Sequence, residues 1–342
     1  MLDYIVVGFG ISGLSVTRSL SNRKLSFVLY NNSSQNASLA AGGLVNPLML
    51  KTGKPVWNVD EFLPHAKSFY SSFNQEYFSS LPIHRVFFSV EDQNNHVSQF
   101  QNSLTSLYTK YAILEAYPNI NAPYKMSEVL GGGVIQIQRL LQNELYNLKQ
   151  QNKIFTETFN HDLLVFHKNH IEYKGTKARN IIFCEGYGIC LNPFFKQLPI
   201  QGNKGEYLLF KSRELQLNAI LKNKYFLIPL GNDVYKYGAT YNRNDFSKLA
   251  SQEAREEMLV YLDKLISCSY EIIEQIAGIR PTVKDKKPIY GTHPIYKNMH
   301  ILNGMGSRGL MMAPLLAEEL LRHIEQGEPL RKEVDVKRFI AT

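Results

Sequence analysis

Tyr4-Ile5-Val6-Val7-Gly8-Phe9-Gly10-Ile11-Ser12-Gly13-Leu14 opens the 342-residue chain and decides its fold. The apolar, largely β-branched run Tyr4–Val7 has the composition of a strand buried on both faces of a parallel sheet. Three glycines follow at once, and Ile11, Leu14 and Leu20 then recur at helical spacing up to Asn22-Arg23. Gly8 permits a tight turn, Gly10 lets a diphosphate approach the backbone, and Gly13 lets the helix pack on the strand. The amides at the helix start, those of Ile11 and Ser12 among them, meet phosphates with the positive end of the helix dipole. Ser26-Phe27-Val28-Leu29-Tyr30 supplies a second strand, which completes a strand–helix–strand unit for a dinucleotide.

The exit of that second strand departs from the pattern. An acidic residue is expected there to hold the ribose hydroxyls, and the chain reads Tyr30-Asn31-Asn32 instead. An Asn amide bonds a hydroxyl without the charge assistance of a carboxylate. More of the affinity must then come from the phosphates and the rest of the cofactor.

Composition bounds the remaining choices. With 44% hydrophobic and 20% charged residues, the chain reads as a soluble protein with core enough for two domains. It contains no apolar run long enough for a membrane span, and the first strand begins too early to leave room for a signal peptide, so a cytoplasmic location is expected. Cys184, Cys190 and Cys268 have no metal-ligand spacing and read as free thiols. The net charge of +8 is spread along the chain, and clusters such as Lys284-Asp285-Lys286-Lys287 enclose an acid. That permits an RNA partner without favouring one.

Further on, Ala40-Ala41-Gly42-Gly43-Leu44-Val45-Asn46-Pro47 is a small-residue loop with room for a ligand ring beside its backbone. Helical spacing covers Asp60 to Phe78, a strand is expected over Leu81 to Phe88, and surface helix with loops over Glu91 to Asn121. A helix follows over Gln136 to Gln151. Glu185-Gly186-Tyr187-Gly188 reads as a glycine-terminated strand, with Gly186 in a second close approach to the nucleotide. Between Ile200 and Ile276, Gly205–Phe210, Tyr225–Ile228 and Val234–Tyr237 alternate as antiparallel strands before a helix over Ser251 to Ile266.

Near the other end, Gly304-Met305-Gly306-Ser307-Arg308-Gly309-Leu310-Met311-Met312-Ala313-Pro314 is a second glycine-rich loop, leading into a helix over Leu315 to Gln326. One loop for the diphosphate and another around an isoalloxazine ring is the arrangement a flavin enzyme needs. Helix-start amides from Gly309 to Met312 would stabilise negative charge on a reduced flavin.

Taken over its whole length, the chain resembles the D-amino-acid oxidase and glycine oxidase superfamily of FAD-dependent oxidoreductases. Ala40–Pro47 is similar to the family segment that lies along the flavin. Gly278-Ile279-Arg280-Pro281, Asp285–Pro288 and Gly291 resemble its C-terminal signature, which Gly304–Pro314 closes. Gly238–Asp245 and Gly306–Leu310 look closer to the flavin domain of the bacterial enzyme that trims carboxymethylaminomethyl-uridine in tRNA. Stand-alone bacterial oxidoreductases of the superfamily are the other near branch. The resemblance implies an α/β protein in which a Rossmann-like FAD-binding domain (1–50, 127–195 and 278–342) interleaves with an antiparallel-sheet substrate domain (51–126 and 196–277).

It also implies roles. Arg280 is expected to hold a substrate carboxylate with its bidentate fork. Tyr225, or Phe226 one residue on, corresponds to the tyrosine over the flavin, and Arg308 is a candidate for the pocket wall. Gly8, Gly10, Ile11, Ser12, Gly13, Tyr30, Asn31, Asn32, Ala40, Ala41, Gly42, Gly43, Gly186, Gly304, Gly306, Ser307, Arg308, Gly309, Leu310 and Met311 are the expected cofactor contacts. Tyr241 and Arg243 are further pocket candidates, and His293, beside Pro294, is expected to be structural. The expected chemistry is oxidation of a C–N bond in an amino acid or N-carboxymethyl amine by hydride transfer to flavin N5, for which positioning supplies much of the rate. FAD is expected to be non-covalent, since the second loop has no cysteine. Two alternatives stay open: a tRNA-modifying flavoenzyme that removes a carboxymethyl group, and a non-catalytic flavin-binding protein.

Overall fold

In the computed structural model, which describes residues 1–32, 37–100 and 103–339, the opening sequence folds as its pattern requires. Leu2–Val7 is a strand, Ile11–Asn22 a helix and Phe27–Tyr30 a second strand parallel to the first. Ile5, Val6 and Leu29 have no exposed surface, as an interior parallel strand demands. Ile154–Phe155, Phe27–Tyr30, Leu2–Val7, Thr176–Phe183 and Met299–Asn303 lie side by side in parallel. The hairpin Leu164–Phe166/Ile171–Tyr173 and the strand Ile289–Thr292 extend this sheet in antiparallel fashion.

A second eight-stranded sheet is built mostly from the middle of the chain, and its order runs Glu271–Val283, Ile200–Lys211, Val234–Gly238, Phe226–Gly231, Ile220–Lys222, Ile83–Val86, Met126–Val129, Thr109–Leu114. Its pairings are antiparallel except that between Ile220–Lys222 and Ile83–Val86. The helix Gln252–Leu265 covers it, capped by the Ser251 hydroxyl and burying Met258, Leu262 and Leu265. Pro281 lies inside Glu271–Val283 at no cost to the ladder, because this is an edge strand.

Several expectations shift. The helix after Asp60 runs Val59–Ser71 and packs with Ile11–Asn22 and Gly309–Gln326 in the core of the first sheet. Its expected continuation is a short 3-10 turn, Gln75–Tyr77, followed by the strand Phe78–Ser80, and the next strand is confined to Ile83–Val86. Glu91 to Asn121 contains the strand Thr109–Leu114, and its residues 101–102 lie outside the described part, as do 340–342 at the C-terminal end. Thr176–Phe183 ends before Glu185, and Gly186–Leu191 is a 3-10 helix, because Gly186 takes φ +58 and breaks the extended path.

The last helix starts at Gly309, six residues before the expected Leu315, and carries Pro314 inside it. Proline has no N–H for the carbonyl four residues back, that of Leu310. The buried Tyr70 hydroxyl donates to that oxygen at 2.8 Å and so lets the helix run through the proline. Among the described residues, no helix is long and apolar enough to cross a membrane.

Candidate active site

A cavity of about 770 Å³ lies at the C-terminal ends of the parallel strands, where Val7, Tyr30, Cys184 and Asn303 all reach its wall. That is where open α/β sheets leave a crevice for ligands. It continues to the second sheet, where Tyr207, Tyr225, Gly278 and Arg280 line it.

The N-terminal loop is shaped by glycine. At Gly13 a Cβ would stand 2.1 Å from the Gly8 carbonyl oxygen, and Gly8 itself takes φ +93 against Cys184. Larger residues would push the helix off the strand. Gly13 thus acts by packing and does not reach the cavity, whereas Gly8, Gly10, Ile11 and Ser12 line it. The Ile11 amide meets the Ser38 hydroxyl at 3.0 Å, and the Phe9 amide meets Asn31 Oδ1 at 3.2 Å.

Tyr30, Asn31 and Asn32 also line the cavity, with different occupations. The Tyr30 ring is stacked on Phe155 and set edge-on to Tyr173 and Phe159. The Asn32 amide nitrogen bonds Thr158 Oγ1 at 3.0 Å. A carboxylate does arrive here from the neighbouring strand. Glu157, two residues past Ile154–Phe155, lines the same wall and is held by Lys174 Nζ at 2.9 and 3.0 Å. Sequence reading looked for an acid at the end of Phe27–Tyr30, and only the parallel pairing brings Glu157 beside it.

Ala40, Ala41, Gly42 and Gly43 line the cavity, as do Gly186, Gly306, Ser307, Arg308, Gly309 and Leu310. Gly304 and Met311 do not. The Gly304 amide is taken by Asn303 Oδ1 at 2.7 Å, and Met311 is buried in the core beneath the helix. Met311 and Met312 both donate backward to the Arg308 carbonyl, so only the Gly309 and Leu310 amides remain ahead of the helical bonding pattern. Both residues border the cavity.

Arg280 sits where Glu271–Val283 pairs with Ile200–Lys211, directly opposite Asn203. Its Nη1 donates to Asn203 Oδ1 at 3.2 Å and to the Thr240 carbonyl at 3.3 Å. The guanidinium lies flat on Gly205, where a Cβ would come within 2.0 Å of Nη2. Tyr241 covers it, with its ring centroid 4.6 Å from Cζ and its hydroxyl bonded to Ser307 Oγ. Among the described residues, no carboxylate is in salt-bridge contact with Arg280 or with Arg308. Tyr207 stands beside Arg280; burial raises its hydroxyl above the ordinary phenol range, and the nearby guanidinium offsets part of that rise.

Arg308 is half-buried and turned along the floor. It donates to the carbonyls of Asn46 at 2.6 Å and Leu48 at 3.3 Å, which ties the C-terminal loop to the Ala40–Pro47 segment. Burial holds its pKa below the usual guanidinium range. Tyr225 reaches the wall, but its hydroxyl is bonded to the Glu257 carboxylate, and its ring packs edge-on to Tyr237 and Tyr261. His293 accepts the Ile295 and Tyr296 amides and, like Arg243, lies off the cavity wall. Sequence reading missed Asn203, Gly205, Tyr207 and Thr240. A glycine inside an otherwise well-patterned strand was the one available signal, since it marks a close approach.

A flavin dinucleotide fits these walls: glycine backbone and helix-start amides at one end, small residues in the middle, and a second helix start at the other. Cys184 borders the cavity, yet burial pushes its thiol far above the normal range, so it stays protonated and unreactive.

Comparison with known proteins agrees. Glycine oxidase from Pseudomonas aeruginosa is 23% identical, with 95% of each chain covered. A tRNA 5-methylaminomethyl-2-thiouridine biosynthesis bifunctional protein, MnmC, from Marinobacter nauticus is 24% identical over 94% of this chain, which spans 55% of that longer protein. In fold, the chain superposes on glycine oxidase from Geobacillus kaustophilus with a TM-score of 0.80 at 16% identity, covering 100% of this chain and 98% of that one. Iminodiacetate oxidase from Chelativorans sp. BNC1 gives 0.78 at 18% identity, covering 98% of each. Residues 3–322 match the family described as FAD dependent oxidoreductase, and to that family this chain belongs.

Proposed function

We propose that this chain oxidises the C–N bond of a small amino acid or N-carboxymethyl amine, with the substrate carboxylate held by Arg280. The observation that carries this reading is the Arg280 guanidinium at the cavity wall, positioned by the neutral oxygens of Asn203 and Thr240. Its partners align the fork without neutralising it, so a bidentate carboxylate finds a matched site.

Segments 1–50, 127–195 and 278–342 would hold the cofactor, and 51–126 and 196–277 the substrate side. Gly10, Ile11 and Ser12 take the diphosphate, and Glu157 replaces the missing acid near the ribose. FAD, when bound, supplies the hydride acceptor. The work of the protein is then placement. Arg280 fixes the carboxylate, Tyr241 and Tyr207 pack around it, and the α-carbon of a neutral amine is directed into the cavity. The Gly309 and Leu310 amides, at the positive end of their helix, stabilise negative charge that builds up during the reaction.

Anaerobic absorption spectroscopy of the flavin-loaded protein tests this. Glycine, sarcosine, D-amino acids, iminodiacetate, a carboxymethylaminomethyl nucleoside and tRNA carrying that nucleoside form the panel. Bleaching by a small amine is the expected outcome, and its loss in Arg280→Ala would identify the anchor. A protein bleached only by modified tRNA would move the assignment to the tRNA-modifying reading, which the likeness to MnmC favours. No bleaching by any of these would leave flavin binding without catalysis.

A further inference from the structure

The hairpin Leu164–Phe166/Ile171–Tyr173, on the far edge of the first sheet, carries a cluster that the oxidation does not use. His167 and His170 face each other across its turn, where the His167 amide donates to the His170 carbonyl at 2.9 Å. Their rings are parallel within 10°, with centroids 4.3 Å apart. Glu172 is two residues beyond His170 and therefore on the same face of the strand. One ligand atom from each of the three lies within 4.8 Å of the other two.

Two further facts distinguish this cluster from a surface ion pair. His170 Nε2 is buried and has no hydrogen-bond partner among the described residues. A buried imidazole nitrogen with no bond is costly unless something occupies it. His167 Nε2 stands 3.5 Å from Glu172 Oε2, so the carboxylate and one imidazole already lie side by side. The side chains of His167 and Glu172 keep 41% and 29% of their surface, enough to admit an ion and a water. The scaffold is firm at both ends of the hairpin. Phe166 stacks on Tyr296 at 4.4 Å, and Tyr173 on Phe159 at 4.0 Å. A competing cation is present too, since Lys177 Nζ lies 3.8 Å from Glu172.

We propose that His167, His170 and Glu172 form a binding site for one divalent cation of the zinc class, with a fourth position open to water. Two imidazoles and one carboxylate are a donor set suited to zinc, nickel or copper, and too poor in oxygen for calcium or magnesium. A bound ion takes up the idle His170 nitrogen and clamps the hairpin turn. Because Tyr173 packs on Phe159, a residue of the cavity wall, the clamp also stiffens the end of the cavity near Glu157.

The test uses untagged, flavin-loaded protein, stripped with a chelator and titrated with zinc chloride by calorimetry. One ion per chain is expected, together with a rise in thermal midpoint on adding zinc. His170→Ala and Glu172→Gln should each weaken binding by about tenfold or more, as expected when a ligand or its support is removed, and should abolish the thermal shift. His323→Gln, remote in the fold, should leave both unchanged. An intact flavin spectrum shows that each variant folds, and exposed Glu172→Gln carries the test if His170→Ala does not. Binding of less than one ion per chain, or zinc affinity unmoved in Glu172→Gln, overturns the proposal.

Discussion

Replacing Gly205 by alanine tests the proposed substrate anchor without replacing Arg280 itself. Gly205 pairs with Gly278 in a regular antiparallel ladder, and its backbone is not in the left-handed region. The added Cβ would stand 2.0 Å from Arg280 Nη2 and 2.3 Å from both Cζ and Nη1. Ordinary contact begins at 3.4 Å, so the guanidinium must retreat by more than an ångström. The obstacle is the far end of a flexible side chain, so the fold and the flavin spectrum should survive. A charge-assisted hydrogen bond contributes about 1.5–3 kcal/mol, and a displacement of about 1 Å costs roughly a hundredfold in rate. Flavin reduction by the preferred amino acid should therefore slow by about 100-fold at low substrate, measured by anaerobic stopped flow. In an Arg280→Ala background the same substitution should change little, because the collision partner is gone. Reduction within twofold of wild type in Gly205→Ala, or two losses that simply add, would refute the reasoning.

Other perturbations probe the frame around the site. Tyr70→Phe leaves the Leu310 carbonyl with neither the tyrosine hydroxyl nor a helical donor, and should cost about 1–3 kcal/mol in urea unfolding. Lys236 is buried against Ala41, and burial lowers its pKa from 10.5 to about 8. Between those values the unfolded chain binds the extra proton, so stability rises with pH in that window and is lost again as pH falls through it. Relative to Lys236→Met, the wild type should gain about 3 kcal/mol from pH 7 to the top of the window, as followed by denaturant titration. Acid precipitation should release all the FAD into the supernatant, since the buried Cys184 thiol is held in its unreactive form; flavin retained in the pellet would contradict this. Tyr225→Phe should alter flavin reduction by less than about threefold, under 1 kcal/mol, because that hydroxyl is committed to the Glu257 carboxylate and not to the cavity.

What could be read from sequence was local. Tyr4 to Leu14 spells out strand, turn and helix within a few residues, and each glycine has a reason visible at short range. Arg280 was legible through its neighbours Gly278 and Pro281. Its supporting surface was not, because Asn203, Gly205 and Tyr207, each more than seventy residues from it along the chain, come beside it only through the register of two strands. The same holds for Glu157, which pairing alone delivers to the exit of Phe27–Tyr30. Tyr225 borders the cavity, yet the partner of its hydroxyl was not legible either. The tyrosine sits in the bend just before Phe226–Gly231, and Glu257 on the covering helix, 32 residues further on, claims its hydroxyl. Pro314 suggested a late helix start, and only the distant Tyr70 makes an earlier one tenable.

These long-range ties explain how Arg280 on one sheet is held against the glycine-rich loop that leaves the other. The Gly306 amide donates to the Pro281 carbonyl at 2.8 Å, one residue from Arg280, and Met305 forms a bridge with Thr282. Tyr241 closes the same junction from the side, stacked on Arg280 and bonded to Ser307. Arg308 fixes the other flank of the loop to the carbonyls of Asn46 and Leu48. The distance from Arg280 to the helix start at Gly309 is thus set by hydrogen bonds on both sides of the loop. Near-attack geometry tolerates errors of only about 0.5 Å, and such cross-ties are how a fold made of interleaved segments can hold that tolerance.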